Sequence, residues 1–360
     1  MADRSAIEWT DSTLNPWVGC TKISPACDHC YAAVATPSRT LGVEWGAGKP
    51  RHRTSAANWN LPLRWNAQPF YACACGYRGT MHDMTTNAVH GCGLQFRRVR
   101  RRVFCASLAD VFDNEVDPKW RADLFALIEK TPNLDWLLLT KRIGNVATMA
   151  PASWLGGPVQ HGPDPTNMHG GWPANVWLGA TVCNQAEADR DVPKLLRVPA
   201  AVRFLSVEPM LGPVDIRGYM WPVCGWWVGR HKSYAEAKAA GAECGLKRQS
   251  FVFADARHID WVITGGESGS HARPSHPEWF RSLRDQCAAA GVPFLFKQWG
   301  EWAPGGSFAS HIPGSTSCDF DGTLNTDEDR VWRVGKKAAG RTLDGVQHDG
   351  YPEHVPGDSP

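Results

Sequence analysis

Short apolar runs separated by helical patterns recur along most of the chain. Six runs are typical of buried strands: residues 103–107, 136–140, 176–181, 202–207, 259–264 and 293–298. Near-continuous apolar strands that alternate with helices indicate an α/β fold with a parallel sheet covered on both faces. Six or more such units favour a parallel (β/α) barrel. We expect a partial TIM-like barrel of six or seven units, with a doubly wound open sheet as the alternative.

Two of the intervening helices carry clear end signals. Asp117 followed by Pro118 predicts a helix N-terminus, because an aspartate cap accepts a backbone N–H and proline suits the first helical position. Ser275 predicts a second N-terminus, and Gly291 predicts the end of that helix.

Two stretches without this rhythm interrupt the pattern. Residues 66–101 and 218–257 contain many glycines and several cysteines. We interpret both as insertions into a single barrel domain that spans residues 1–302. Residues 303–360 are rich in Gly, Pro and Asp, a composition that predicts an irregular C-terminal extension.

Polar side chains stand where the apolar runs stop. They are Ser107, Asp110, Thr140, Lys141, Arg142, Thr181, Glu208, Glu267, Lys297 and Gln298. The carboxyl ends of parallel barrel strands share one face, and barrel enzymes keep their chemistry there. This placement predicts an active-site face. Its candidate catalytic residues, which would contact a cofactor or substrate, are Lys141, Arg142, Glu208, Glu267 and Lys297.

The overall composition is that of an ordinary globular protein. The 360-residue chain is 43% apolar, and its 38 basic and 36 acidic residues nearly balance. No apolar run approaches the roughly 20 residues that a membrane-spanning helix needs, and the N-terminus lacks the apolar core of a signal peptide. We therefore expect a cytoplasmic protein without a membrane partner. In that compartment, 12 cysteines indicate metal sites rather than disulfides.

Three of these cysteines form a compact motif near the N-terminus. Cys20, Cys27 and Cys30 have the spacing C-x6-C-x2-C in a loop that contains Pro25. Three thiolates suit an iron–sulfur cluster with one iron open to a cofactor, whereas an electron-carrying cluster normally has four cysteines. The alternative is a structural zinc ion with His29 as the fourth ligand.

The cysteine motif belongs to a wider set of motifs. The set comprises residues 7–20, 27–31, 139–142, 177–181, 204–209, 265–269, 272–274 and 294–299. Together these motifs resemble a phage-associated three-cysteine-motif family of unknown function. That family is itself similar to radical S-adenosylmethionine (radical SAM) enzymes.

The resemblance implies cofactors and a location. It places a 4Fe–4S cluster on Cys20, Cys27 and Cys30, with S-adenosylmethionine bound at the open iron and an electron donor as a partner. Tyr31, beside the last cysteine, and the segment Gly265-Gly266-Glu267 are then candidate cofactor-binding residues. If a phage encodes the protein, its location is the host cytoplasm.

A second cysteine group lies in the first insertion. Cys73-Ala-Cys75-Gly and His90-Gly-Cys92-Gly are two half-sites with glycine after the cysteine, the arrangement by which knuckles turn around zinc. We predict a structural zinc ion on these four residues. Alternatives are His82 in place of His90, a second iron–sulfur cluster, or cysteines without a metal. The pair Cys224 and Cys244 is left without an assigned metal.

Five arginines follow this group within residues 97–102. Such a run next to a zinc knuckle predicts contact with nucleic-acid phosphates through Arg97–Arg102, and the alternative is a solvated, charged edge.

These observations lead to two functional hypotheses. The first is a radical SAM-type enzyme that cleaves S-adenosylmethionine to modify a substrate such as a nucleic-acid base or nucleotide. The second is a non-catalytic zinc- and nucleic-acid-binding phage accessory protein.

Overall fold

The computed structural model describes residues 3–86, 95–156, 171–220, 258–305, 317–318, 320 and 330–352. The chain divides into two compact units. The first comprises Met1–Gly162, His169–Thr181 and Val198–Ala201. The second comprises Pro163–Met168, Val182–Arg197 and Val202–Pro360.

The first unit combines a parallel sheet with short antiparallel elements. Its strands are β1 (Ser12–Leu14), β2 (Trp17–Val18), β3 (His52–Arg53), β4 (Phe70–Cys73), β5 (Arg78–Thr80), β6 (Phe96–Val99), β7 (Arg101–Cys105), β8 (Leu134–Thr140) and β9 (Val176–Thr181). Its helices are α1 (Tyr31–Val34), α2 (Thr36–Thr40), α3 (Ala56–Trp59), α4 (Leu61–Ala67), α5 (Met81–Thr86), α6 (Pro118–Glu129) and α7 (Val146–Met149). Strands β1, β7, β8 and β9 lie side by side in that order and are parallel.

The second unit has the same parallel pattern. Its strands are β10 (Val202–Val207), β11 (Trp261–Gly265), β12 (Phe294–Gln298), β13 (Trp302–Pro304), β14 (Ser317–Cys318) and β15 (Val331–Arg333). Its helices are α8 (Gln185–Arg197), α9 (Arg217–Met220), α10 (Pro277–Ala290) and α11 (Lys336–Ala339). Strands β10, β11 and β12 are parallel neighbours in that order, and β15 lies between β13 and β14 in a small antiparallel sheet.

The α/β class and the parallel strands are confirmed. The described residues contain seven parallel strands, which are β1 and the six predicted runs. Their central side chains are fully buried: Leu138, Leu178, Leu205, Ile263 and Leu295 each have 0% exposure. Burial on both faces explains why the runs are apolar throughout rather than alternating.

The helix end signals are confirmed with one change. Asp117 caps α6 by accepting a hydrogen bond from the Lys119 backbone N–H. At α10 the cap is His276 and not Ser275, because the Ser275 hydroxyl is buried and donates to the Met210 carbonyl at 2.6 Å. Gly291 ends α10 in the left-handed conformation, with φ 69°.

The first predicted insertion forms a sheet of its own. Within residues 66–101, strands β5, β4 and β6 pair antiparallel in that order. Most of the second predicted insertion, residues 221–257, lies outside the described residues.

Within the C-terminal segment 330–352 of the second unit, β15 pairs with β13 and β14, and residues 348–350 pair with β12. The Phe296 N–H donates to the His348 carbonyl at 3.0 Å, and the Gly350 N–H donates to the Phe294 carbonyl at 2.9 Å. The Trp261 indole N–H donates to the Gly350 carbonyl at 2.7 Å. Residues 348–350 therefore lie along β12. No helix in the described part of the chain is long and apolar enough to cross a membrane.

Candidate functional site

The cysteine motif occupies the loop between β2 and α1 in the first unit. A 3-10 turn, Pro25–Cys27, is capped by Ser24, whose hydroxyl accepts a hydrogen bond from the Ala26 N–H. Cys30 stands at the N-terminus of α1. Cys27 is buried, and Cys20 and Cys30 are half-buried.

The sulfur atoms of this loop are not drawn together into a closed ligand set. Among the described residues, no group of three or more His, Cys, Asp or Glu side chains could hold a metal ion. The donor chemistry nevertheless fits an iron–sulfur cluster, because Cys20, Cys27 and Cys30 offer three soft sulfur ligands in one short, partly buried loop. None of them forms a disulfide with a described residue. Ligation by all three requires the loop to bring the sulfurs closer.

A buried guanidinium lies against the first sulfur. Arg142 Nη1 is 3.3 Å from Cys20 Sγ, and Nη2 donates to the Thr21 carbonyl at 2.7 Å. The Arg142 side chain is only 8% exposed. A cation held this close stabilises a thiolate at Cys20 and so opposes the effect of burial on the thiol. Arg142 is therefore the predicted strand-end residue that the structure brings to the cysteine motif.

Asp110 fixes the position of Arg142. Its carboxylate lies 3.2 Å from Arg142 Nη1 and accepts hydrogen bonds from the Thr140 hydroxyl at 2.7 Å and the Lys141 backbone N–H at 3.1 Å. The Phe112 backbone N–H is a further donor at 2.9 Å. The ends of β7 and β8 thus meet through a fully engaged carboxylate. Only the backbone of Lys141 takes part in these bonds.

A second buried ion pair supports the same loop, and the sequence did not reveal it. Arg51 Nε lies 2.7 Å from Asp113 Oδ2, and both side chains are at most 2% exposed. Arg51 Nη2 donates to the Thr21 hydroxyl at 2.7 Å. Thr21, next to Cys20, is therefore held by two arginines. The only local signal was the position of Asp113 in the loop after a predicted strand.

The electrostatics of Cys20 favour the protonated thiol when no metal is bound. Burial and the nearby Asp110 carboxylate raise the pKa of the thiol to about 11, although Arg142 opposes this shift. A metal ligand must be a thiolate, so metal binding at Cys20 would release a proton.

Tyr31 ties the end of the cysteine loop to the parallel sheet. Its hydroxyl donates to the Ser107 carbonyl at 3.0 Å, just beyond β7. The Ser107 side chain in turn accepts a hydrogen bond from the Asn15 amide at 3.0 Å. The Tyr31 side chain is largely exposed at 52%, and its predicted cofactor contact stays a prediction.

Two predicted residues of the second unit form an ion pair. Lys297 Nζ lies 2.7 Å from Glu208 Oε1, and the two side chains are 16% and 17% exposed. The Gln298 amide nitrogen lies 3.4 Å from the same Glu208 oxygen and donates to the Ser268 hydroxyl at 2.8 Å. These groups stand at the carboxyl ends of β10 and β12, as predicted.

Glu267 and the two glycines before it have structural partners. The Glu267 carboxylate accepts three N–H donors from Arg273, at distances between 2.6 and 2.8 Å. A Cβ on Gly266 would lie 1.9 Å from the Trp299 carbonyl oxygen, and a Cβ on Gly265 would lie 3.2 Å from the Gln298 carbonyl. Close approach of the chain after β12 therefore accounts for this Gly-Gly pair.

Only half of the predicted zinc site is within the described residues. Cys73 and Cys75 lie at the turn between β4 and β5, where the Gly76 N–H donates to the Cys73 carbonyl at 2.9 Å and Gly76 has φ 91°. His90 and Cys92 lie outside the described residues, as do Cys224 and Cys244. His82 is in α5 and is exposed.

The arginine run divides into exposed and internal residues. Arg97 and Arg98 are exposed on β6, whereas Arg101 and Arg102 are buried at 6% and 7% exposure. Arg101 donates to the Ser12 hydroxyl and stacks over the Trp65 ring at 4.9 Å. The buried Arg101 and Arg102 side chains are therefore not available for the predicted phosphate contact, whereas Arg97 and Arg98 are.

Arg100 and Arg102 have acidic neighbours within the first unit. Arg100 Nη1 is 3.8 Å from Asp135 Oδ1, and Arg102 Nε is 3.7 Å from Asp11 Oδ2. Burial raises the pKa of Asp135 to about 7 despite these arginines. Arg100, Arg101 and Arg102 thus make contacts within the first unit.

Comparison with known proteins identifies a family without a known activity. A family model described as "Protein of unknown function (DUF5131)" matches residues 4–352 of the chain. No curated protein and no solved structure matches it. The assignment of chemistry therefore depends on the residues of this chain.

Proposed function

We propose that this chain, which belongs to the DUF5131 family, is a radical SAM-type iron–sulfur enzyme on a partial TIM-like barrel. The observation that carries the proposal is the sulfur of Cys20 against the buried Arg142, at the start of the three-cysteine loop. The resemblance of its motifs to a phage-associated family similar to radical SAM enzymes supports it. So does the partly buried set of three thiols.

The residues that would hold a 4Fe–4S cluster are Cys20, Cys27 and Cys30. Three protein ligands leave one iron open for S-adenosylmethionine. When bound, such a cluster supplies one-electron reduction of that cofactor, and an electron donor is the partner required. The substrate class we propose is a nucleic-acid base or nucleotide, and the location we propose is a phage host's cytoplasm.

Arg142 and its neighbours would prepare the cysteine loop for this role. The guanidinium offsets part of the negative charge that thiolate ligands bring into a partly buried loop. Asp110 keeps the guanidinium beside Cys20 through an ion pair at 3.2 Å. Arg51 holds Thr21 from the other side. These contacts fix the first ligand.

The polar residues at the strand ends remain candidate contacts for cofactor or substrate. Glu208 and Lys297 carry opposite charges 2.7 Å apart and are partly exposed. A zwitterionic amino-acid group, such as that of S-adenosylmethionine, has complementary charges for both. Glu267 would first have to exchange its bonds with Arg273. Lys141 is half-buried and close to Arg142 in sequence.

Metal content after anaerobic purification tests the proposal. The intact protein should be brown, with about four irons per chain as a 4Fe–4S cluster requires. Cys27→Ala removes one of three protein ligands, and iron should fall to near background while the fold persists. Cys287→Ala is the matched control, because Cys287 is fully buried in α10 and should leave the iron content unchanged.

Two results of the metal analysis would contradict the proposal. A colourless protein with zinc and no iron would overturn the iron–sulfur assignment. It would favour a non-catalytic zinc- and nucleic-acid-binding accessory protein, for which the Cys73–Gly76 turn is the supporting feature. Full iron in Cys27→Ala would place the cluster elsewhere.

A further inference from the structure

The small sheet of the first unit has two faces with different environments. In its antiparallel register, Tyr71 lies opposite Arg98 and Cys73 lies opposite Phe96. Residues directly opposite each other point to the same side, and positions two apart share that side. Tyr71, Cys73, Phe96 and Arg98 therefore share one face of the sheet, and we call it the Tyr71 face. Cys73, at its end next to the β4–β5 turn, is buried at 6% exposure.

The other face of this sheet is occupied. Phe70 is 7% exposed and lies under two guanidinium groups, that of Arg101 at 5.2 Å and that of Arg78 at 5.8 Å. Arg78 forms two hydrogen bonds of 2.9 Å with the Asp11 carboxylate. These contacts attach the sheet to the rest of the first unit, whereas on the Tyr71 face Tyr71 is half-buried and Phe96 and Arg98 are exposed.

The Tyr71 face presents aromatic rings beside a positive charge. The rings of Tyr71 and Phe96 are edge to face, with centroids 6.0 Å apart. Phe96 is 44% exposed, a high value for a phenylalanine in a strand. Arg98 is exposed on the same strand and makes no ion pair with a described residue. On β5, Gly79 lies opposite Tyr71. A Cβ on Gly79 would lie 2.9 Å from Asp83 Cβ and 3.2 Å from Tyr77 Cε1, so these two side chains border the face on the β5 side.

This combination matches the chemistry of an unpaired nucleic-acid strand. Bases stack on exposed aromatic rings whatever their sequence, and arginines neutralise the phosphates between them. A duplex keeps the faces of its bases inside its own stack and offers the rings no partner. An acidic protein would engage the arginine but would have no use for the aromatic pair.

We propose that the Tyr71 face binds single-stranded nucleic acid, with bases stacked on Tyr71 and Phe96 and a phosphate at Arg98. The proposal does not depend on an iron–sulfur cluster. It concerns the outer face of the β5–β4–β6 sheet, whereas the internal residues Arg101 and Arg102 take no part.

Fluorescence anisotropy with the full-length protein tests this surface. The probes are a labelled oligothymidine of about 20 nucleotides, which exceeds the 4–16 nucleotides that compact single-strand sites cover, and a labelled duplex of the same length. Titrations at several salt concentrations give affinity and salt slope. We expect the single strand to bind more tightly than the duplex.

Two variants separate stacking from charge. Phe96→Leu keeps an apolar side chain but removes the ring, and the loss of one stacked base should weaken single-strand binding about tenfold. Arg98→Gln should weaken binding and flatten the salt slope by about 0.7, the value for one phosphate contact on a single strand. Circular dichroism verifies that both variants remain folded.

Arg97 provides the matched control. It neighbours Arg98, is also exposed, and lies opposite Ala72 on the other face of the sheet. Arg97→Gln removes the same charge and should change affinity much less than Arg98→Gln. Equal effects of the two arginine variants, with Phe96→Leu unchanged, would reveal diffuse charge only and would overturn the proposal. Absence of single-strand binding at low salt, or equal affinity for the duplex, would overturn it as well.

Discussion

Replacing Arg142 with glutamine perturbs the best-defined contact of the cysteine loop. The change removes a guanidinium whose Nη1 lies 3.3 Å from Cys20 Sγ and 3.2 Å from Asp110 Oδ2. It also removes the hydrogen bond to the Thr21 carbonyl and a more distant contact with Asp113 at 3.7 Å. Because the Arg142 side chain is 8% exposed, water cannot easily replace these partners.

The size of the effect follows from what remains in the loop. Breaking a buried ion pair on one side costs about 3–5 kcal/mol of unfolding free energy. Asp113 keeps its shorter contact with Arg51 at 2.7 Å. Asp110 keeps the Thr140 hydroxyl and two backbone N–H donors. We therefore expect Arg142→Gln to lower the unfolding free energy by about 3 kcal/mol, the lower end of that range.

Urea unfolding of the metal-free protein measures this loss. The same substitution in an Asp110→Asn background is the matched comparison, because the carboxylate that would be left without its cation is then absent. The loss should be clearly smaller there, since residues in one network are energetically coupled. A loss below about 1 kcal/mol for Arg142→Gln, the value of an exposed pair, would refute the buried-network interpretation.

Two further perturbations follow from the burial of single groups. Because the pKa of Asp135 is about 7 in the fold against about 3.9 in an unfolded chain, its ionisation lowers the unfolding free energy as pH rises from about 4 to 7. Asp135→Asn should therefore stabilise the protein by up to about 3 kcal/mol more at pH 8 than at pH 5 in urea unfolding, and a pH-independent difference would contradict this assignment. Gly266→Ala should destabilise the protein by about 2–3 kcal/mol through overpacking, because the new methyl would lie 1.9 Å from the Trp299 carbonyl. Gly212→Ala, whose methyl would meet its nearest neighbour at 3.5 Å, should change thermal stability little, and equal effects of the two would rule out the steric explanation.

The sequence predicted the parallel strands because burial on both faces leaves a continuous apolar run. Every run from residues 103–107 to 293–298 became a strand of a parallel sheet. The strand ends also named Arg142, Glu208 and Lys297 as candidates, because the carboxyl ends of parallel strands share one face. The contact of Arg142 with Cys20 and the Glu208–Lys297 ion pair came from the structure. The regular apolar runs were sufficient to predict the parallel strands and the position of these polar residues at the strand ends.

Long-range pairing and burial of charge could not be predicted in this way. Arg51 and Asp113 are 62 positions apart, and no local pattern connects them. The arginine run looked uniform in sequence, yet Arg101 is internal because Ser12 and Trp65 surround it. The charge pattern along the chain does not indicate how deeply a charged side chain is buried, because its burial depends on residues that are distant in sequence.

The C-terminal segment along β12 also bears on how the chain is made. The residues that pair with this strand, His348 to Gly350, emerge from the ribosome some 50 positions after Gln298 completes it. Until then the N–H group of Phe296 and the C=O group of Phe294 lack these partners. An open strand edge is a template for association with other chains. Domains that complete late in synthesis carry this risk during translation. Residues 348–350 thus cover the edge of β12 late in synthesis. Nascent chains that stop before residue 348 should therefore be the aggregation-prone products.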